Sequence, residues 1–272
     1  MDIVDAQVHV FHKHTEAQAL AAMDALGING VVIDEVWSVE TDGAIAPCKT
    51  FPNGVQRALT PLSQAAALKF PERFSFLQRV GRDDPDLGAL FAILSTTPGC
   101  RAVRIDGREK VEQVALADGG YDDLLRLARK HDLPVFIVMV GAGTSEVARQ
   151  VCHRFPDVQF VLDHCGRPAS LGQWDEHLSL SACPNLALKW CHPHHYFEAG
   201  HYPFEGLRTQ LARAIEAFGS HRIMWASDIT MDRAGVPWAD LFYYIREDSS
   251  LSVSDREWVL GRTARKLLKW AP

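Results

Sequence analysis

No stretch of this chain approaches the ~20 consecutive apolar residues that a membrane-spanning helix needs. Its first residues, Met1-Asp2-Ile3-Val4-Asp5, have neither the basic nor the apolar region of a secretory leader. There is no basic run, and 34 acidic against 28 basic side chains give a formal charge of -6. The electrostatic footprint of a nucleic-acid or anionic-membrane binder is therefore missing. Six cysteines, Cys48, Cys100, Cys152, Cys165, Cys183 and Cys191, lie far apart without a CxxC pair, so neither a zinc knuckle nor a disulfide framework is indicated. Phosphate-cradling turns of the GxGxxG or GxxxxGK[ST] kind are absent, which speaks against a nucleotide-binding sheet. These absences lead us to expect a cytoplasmic protein with reduced thiols. Its partner would be a small-molecule substrate, not nucleic acid or membrane; the sequence leaves homo-oligomerisation open.

What the chain does contain is a repeated βα grammar. Across 272 residues, β-rich runs fall at 2–10, 30–36, 74–80, 101–105, 134–140, 158–164, 186–191 and 222–228. Amphipathic helical stretches such as 16–26, 121–131, 145–155 and 207–218 lie between them, several closed by Gly or Pro. Eight such repeats in one domain, 1–272, match the size of a (β/α)8 TIM barrel. An irregular segment from Ser38 to Pro61 reads as a long loop after the second strand, placed to overhang the mouth of the barrel.

Chemistry in such barrels sits at the C-terminal ends of the strands. Read there, the polar residues converge. Strand one ends in Gln7 and His9, whose two-residue spacing puts both on one face together with Asp5, while Val4, Ala6, Val8 and Val10 face the helices. Strand four contributes Arg101 and Arg104; strand six ends in Asp163 and His164. Strand seven carries Lys189 and runs into His192, His194 and His195, and strand eight ends at Asp228. Any one of these alone would be an ordinary packed or turn-capping residue; together, on one rim, they point to a site. Arg101, on the strand face opposite Arg104, reads as structural, and Cys165 as a space-filling thiol.

Over essentially the whole chain these features resemble the amidohydrolase-related barrels, especially the branch of sugar lactonases and 2-pyrone-4,6-dicarboxylate lactonase. The marks are Asp5-Ala6-Gln7-Val8-His9, Arg101-Ala102-Val103-Arg104, Leu162-Asp163-His164-Cys165-Gly166-Arg167-Pro168, and Phe218-Gly219 followed by Arg222-Ile223-Met224-Trp225-Ala226-Ser227-Asp228. A closing Gly261-Arg262-Thr263-Ala264 resembles the terminal Gly-x-Asn-Ala of those barrels. The resemblance implies a hydrolase in which Asp228 moves the proton of an attacking water, with a pKa raised by partial burial. It implies that His9 and His164 polarise the carbonyl or hold the water, and that Arg104, assisted by Lys189, clamps a substrate carboxylate. His192 and His194 would then set specificity.

One position departs from the wider pattern. Where His-x-His usually provides two metal ligands, this chain has Gln7-Val8-His9, and a neutral amide is a poor zinc ligand. The fifth strand also ends without histidine. The leading expectation is accordingly metal-free hydrolysis of a lactone bearing a carboxylate, with no cofactor required. A single zinc on His9, His164 and Asp228 is the alternative for the metal. For function, the alternatives are a metal-dependent decarboxylase or amidohydrolase, and a barrel that only binds its ligand.

Overall fold

Each expected β-run forms a strand. The computed structural model describes residues 1–35, 48–231 and 234–272. Its strands are β1 (Val4–Val8), β2 (Gly30–Asp34), β3 (Cys48–Thr50), β4 (Gln56–Ala58), β5 (Phe74–Arg79), β6 (Cys100–Gly107), β7 (Val135–Met139), β8 (Phe160–Leu162), β9 (Leu186–Cys191) and β10 (Ile223–Ala226). Eight of them pair in parallel in the order β1-β2-β5-β6-β7-β8-β9-β10. At the seam the Asp228 amide donates to the Gln7 carbonyl at 3.0 Å. Parallel strands need a crossover each, and the helices fill those crossovers on the outside, giving a (β/α)8 TIM barrel.

Local signals explain where the helices begin and end. Thr15 and Gln18 form a reciprocal capping box ahead of the helix Glu16–Leu26, and Gly27, at φ 72°, ends it in the left-handed region. Pro61 opens the helix Pro61–Lys69 at its first turn. The expected loop from Ser38 to Pro61 lies partly outside the described residues. From Cys48 onward it is the antiparallel β3–β4 hairpin, which Arg57 anchors to Asp84.

One expectation about β1 needs correcting. Simple alternation would place Asp5, Gln7 and His9 on one face, but the β1–β2 register shifts between Asp5 and Val8. Val4 and Ala6 belong to the barrel interior with Val32, Leu77, Phe136 and Met224, whereas Val8 and Val10 join the outer core beneath the helices. A bulge inserts one residue and reverses the faces beyond it. The Asp5 side chain thereby leaves the face of the Gln7 side chain, although it still accepts from the Gln7 amide at 3.2 Å. Its buried carboxylate accepts from the Ser227 amide at 2.9 Å, from the Ser227 hydroxyl, and from Trp238 Nε1 at 2.8 Å, tying β1 to the segment after β10. Burial outweighs these donors and lifts the Asp5 pKa to about 6.

The floor of the barrel is closed by the C-terminal segment. Trp270 packs so tightly under β2 that a Cβ on Gly30 would lie 2.6 Å from its ring. Gly261, the first residue of the closing motif, meets the Asp2 carbonyl so closely that a Cβ would sit 2.1 Å from the oxygen; only glycine permits that approach. Among the described residues no helix is long and apolar enough to cross a membrane.

Candidate active site

Three adjacent strand ends share an unusual backbone. His164 just beyond β8, His192 directly after β9 and Asp228 just beyond β10 have φ of 51°, 49° and 49°. Side chains other than glycine enter this left-handed region at a cost of about 1–3 kcal/mol, and such strain persists where the surrounding packing over-determines it, often at functional sites. Here it groups three imidazole and carboxylate side chains in one place. His164 Nε2 lies 3.9 Å and His192 Nδ1 3.7 Å from Asp228 Oδ2. The His164 and His192 rings stack with centroids 5.7 Å apart, and His192 Nε2 donates to the Asp228 carbonyl at 3.1 Å.

The other side of Asp228 meets β1. Gln7 Nε2 donates to Asp228 Oδ2 at 3.0 Å and lies 3.2 Å from His9 Nε2. His9 Nδ1 donates to the Asp34 carbonyl at 2.5 Å, which turns Nε2 toward Asp228 Oδ1 at 2.9 Å. That carboxylate oxygen is buried and accepts no other hydrogen bond among the described residues. Two acceptor atoms so close need a proton or a cation between them. The carboxylate, expected to be raised by burial, is in fact lowered: burial pushes it up, but His9, His192 and Lys189 outweigh that. Asp228 therefore stands ionised at neutral pH. The His164 pKa is lowered as well, by burial and by the nearby charges of Lys189 and Arg104, which keeps the imidazole neutral.

Beneath these groups the barrel interior carries charges where apolar side chains usually fill it. Arg79 grips both Asp34 oxygens at 2.9 and 2.8 Å. Arg104 bonds Asp34, donates from Nε to Asp163 Oδ2 at 2.6 Å, and reaches His164 Nε2 at 3.2 Å. Lys189 Nζ pairs with Asp163 Oδ1 at 2.5 Å and donates to Gln7 Oε1. These contacts bear on two expectations. Arg104 lines the cavity, but its fork is bonded to two protein carboxylates, which hold its pKa up despite burial, so a substrate carboxylate would compete with Asp34 and Asp163 for it. Lys189 is fully buried and is absent from the cavity wall.

Above this layer opens a cavity of about 650 Å³. Gln7, His9, His164, His192 and Asp228 form its base, and Arg79, Arg108, Arg167, His195 and Tyr196 are on its walls. His195 stands where His194 was expected; His194 is half-buried and off the wall. Sequence reasoning passed over Arg167, although it lies in the same motif as His164. Its guanidinium makes no ion pair among the described residues. Burial and the positive charge of Arg167 both lower the pKa of Arg108, whose own guanidinium is held by Asp106.

The family model for amidohydrolases matches residues 4–270. The chain belongs to the amidohydrolase family. Among solved structures, an amidohydrolase from Burkholderia multivorans is 17% identical over 100% of both chains, with a TM-score of 0.80 in its HEPES complex and 0.77 with zinc bound. A proposed 2-pyrone-4,6-dicarboxylic acid hydrolase from Pseudomonas putida is 20% identical (100% of this chain, 98% of that one, TM-score 0.73). A 2,6-dihydroxybenzoate decarboxylase from Rhizobium is 14% identical (99% of each, TM-score 0.67). At such identities these likenesses speak to the fold. The uncharacterized protein y4mH of Sinorhizobium fredii is 27% identical over 127 residues, 42% of this chain and 38% of that protein's length.

Amidohydrolase barrels thus include zinc-bound examples, and the donors here can be tested for fit. Ligand atoms of His164, Cys191, His192 and Asp228 all lie within 4.8 Å of one another. Two imidazoles, a thiol and a carboxylate suit a tetrahedral zinc-type ion, and the hydrogen bond from His192 Nε2 leaves Nδ1 as the coordinating atom. This set differs from the expected trio, since His9 sits on the far side of Asp228. Burial raises the Cys191 thiol well above its ordinary pKa; a bound cation would have to displace its proton. Cobalt-loaded protein is expected to show a thiolate-to-metal charge-transfer band that vanishes in Cys191→Ser. A stoichiometric cobalt complex without that band would place the ion on the His9 side.

Proposed function

We propose that this amidohydrolase cleaves a small lactone bearing a carboxylate. One observation carries the proposal: an ionised, buried Asp228 and the uncompensated Arg167 share one cavity. The carboxylate is a base for water, and the guanidinium is a partner for an anion. In this reading Arg167 holds the substrate carboxylate and sets the ring carbonyl over His164 and His192. Asp228 takes a proton from water as the water attacks the carbonyl carbon. It then returns the proton to the ring oxygen as the C–O bond breaks, leaving a hydroxy acid. His9, paired with Asp228 Oδ1, fixes the direction of the carboxylate. The four-donor set of His164, Cys191, His192 and Asp228 supports a second reading, metal-dependent decarboxylation on the same rim. A bound divalent ion would supply Lewis-acid activation there.

A panel of aldonic- and dicarboxylic-acid lactones, assayed with and without EDTA for acid release and for carbon dioxide, separates the two. Chelator-insensitive acid release is expected. Carbon dioxide release that stops with EDTA would replace the first reading by the second. In the same assay Arg167→Gln is expected to raise KM for anionic lactones by about 10- to 150-fold, the 1.5–3 kcal/mol of a charge-assisted hydrogen bond, and to leave neutral lactones within about twofold of the wild type. Equal losses on both would show that Arg167 does not meet the carboxylate.

A further inference from the structure

The Gln7 amide is held at both ends by different groups. Its oxygen accepts from the fully buried Lys189 ammonium, and its nitrogen donates to Asp228 Oδ2 at 3.0 Å. A glutamine amide can rotate by half a turn and exchange these ends at almost no steric cost, because oxygen and nitrogen are nearly the same size. Here the two states are chemically unequal. Flipped, the amide would present its NH2 group to an ammonium that has no acceptor and its carbonyl to an ionised carboxylate, so both contacts would become repulsive. Lys189 cannot turn away, since Asp163 Oδ1 holds Nζ at 2.5 Å and the Phe136 ring lies 5.2 Å from it.

We propose that Lys189 is a positioning residue that locks Gln7 in one flip state, so that an N–H donor, and not a carbonyl oxygen, faces Asp228. This rests on the proposed role of Asp228 as the group that exchanges protons with water. The lock has two consequences. The donated hydrogen bond fixes Oδ2 while Oδ1 faces His9, so the carboxylate keeps one orientation toward the cavity. It also withdraws Gln7 Oε1, the only atom of that amide able to ligate a cation, from the site. The position that offers a metal ligand in His-x-His barrels is here closed by a charge one layer below.

The test is a square of variants: Gln7→Met, Lys189→Met and the two combined. Gln7→Met leaves every buried ion pair in place. Each single variant is expected to lower kcat by about 10- to 100-fold, the size of coupling between members of one network, with KM within about twofold. The double variant should be no worse than the worse single. Calorimetric zinc titration gives a readout independent of turnover. Lys189→Met should bind zinc tighter than wild type; the part due to losing the ammonium should persist in the double variant, and the part that requires the freed Gln7 oxygen, a weak ligand, should be lost there. Additive kcat losses, or equal zinc affinity in Lys189→Met and the double variant, would overturn the lock and leave Lys189 a purely electrostatic neighbour. If Lys189→Met does not fold, Lys189→Gln replaces it in the square; it keeps a donor for Gln7 Oε1, so the lock predicts a kcat loss well below that of Gln7→Met, and an equal or larger loss would overturn the proposal. Turnover surviving in Asp228→Asn would instead defeat the underlying role of Asp228, while the zinc cycle would still judge the lock.

Discussion

Asp228→Asn is expected to lose about 10²- to 10⁴-fold in kcat, the contribution of a positioned general acid–base group, with the thermal midpoint nearly unchanged. Asparagine fills the same volume and can still accept from Gln7 Nε2, which now reaches Oδ2 at 3.0 Å. It cannot take up a proton. The substitution also removes the negative charge that offsets Lys189, Arg104 and the flanking imidazoles, so any developing negative charge on substrate meets a more positive site and KM for anions should fall. Both directions, kcat down and anionic KM down, are expected together in one steady-state experiment. A kcat within about tenfold of wild type, ~1.4 kcal/mol in barrier, would remove Asp228 from the mechanism.

Arg104→Met is expected to be the most destabilising single change at the site. It would leave Asp34 and Asp163, both fully buried, short of a partner that now bonds each of them. Breaking a buried pair by removing one member costs about 3–5 kcal/mol, because a desolvated charge is left behind. Arg79 still holds Asp34 and Lys189 still holds Asp163, which places the expected loss toward the lower end. Urea denaturation at neutral pH measures it as a lower midpoint. Activity on neutral and anionic lactones should decline in parallel. Selective loss on anions, with stability within about 1 kcal/mol of wild type, would return Arg104 to the substrate-clamping role that its sequence position suggested.

The contrast between Arg104 and Arg167 marks how far the sequence could be read. Both are arginines in family-like motifs near strand ends, and nothing local distinguishes a fork bound by protein carboxylates from one facing open space. The distinction is set by Asp34 and Asp163, which come from other strands. Strand positions were legible because the runs at 30–36, 74–80 and 186–191 are short, apolar and bounded by breakers. The placing of His9, His164 and Asp228 was legible because each follows such a run. The faces of β1 were not, since a single-residue bulge leaves no mark in the alternation of Val4, Ala6, Val8 and Val10, yet it moves Asp5 out of the site. Cys191 carries no local mark of a ligand, since an inward-facing thiol among apolar neighbours reads as packing in sequence. Its place beside His164 and Asp228 emerges only when three strands are assembled.

The charged layer under the site also bears on how such a barrel is put together. With Asp228 above the layer included, the first four strands contribute Asp34, Arg79 and Arg104, one net positive charge, and the last four contribute Asp163, Lys189 and Asp228, one net negative. Arg104 bonds Asp163 across that division, and Lys189 reaches Gln7 on the first strand. The two halves are therefore complementary and not interchangeable. A barrel made by duplicating either half would carry a surplus of two charges of one sign in its interior, which the pairs within each half could not offset. In this chain the two half-barrels behave as a matched heterodimer joined by a peptide bond, and recombination between related barrels would have to exchange both partners of each pair at once.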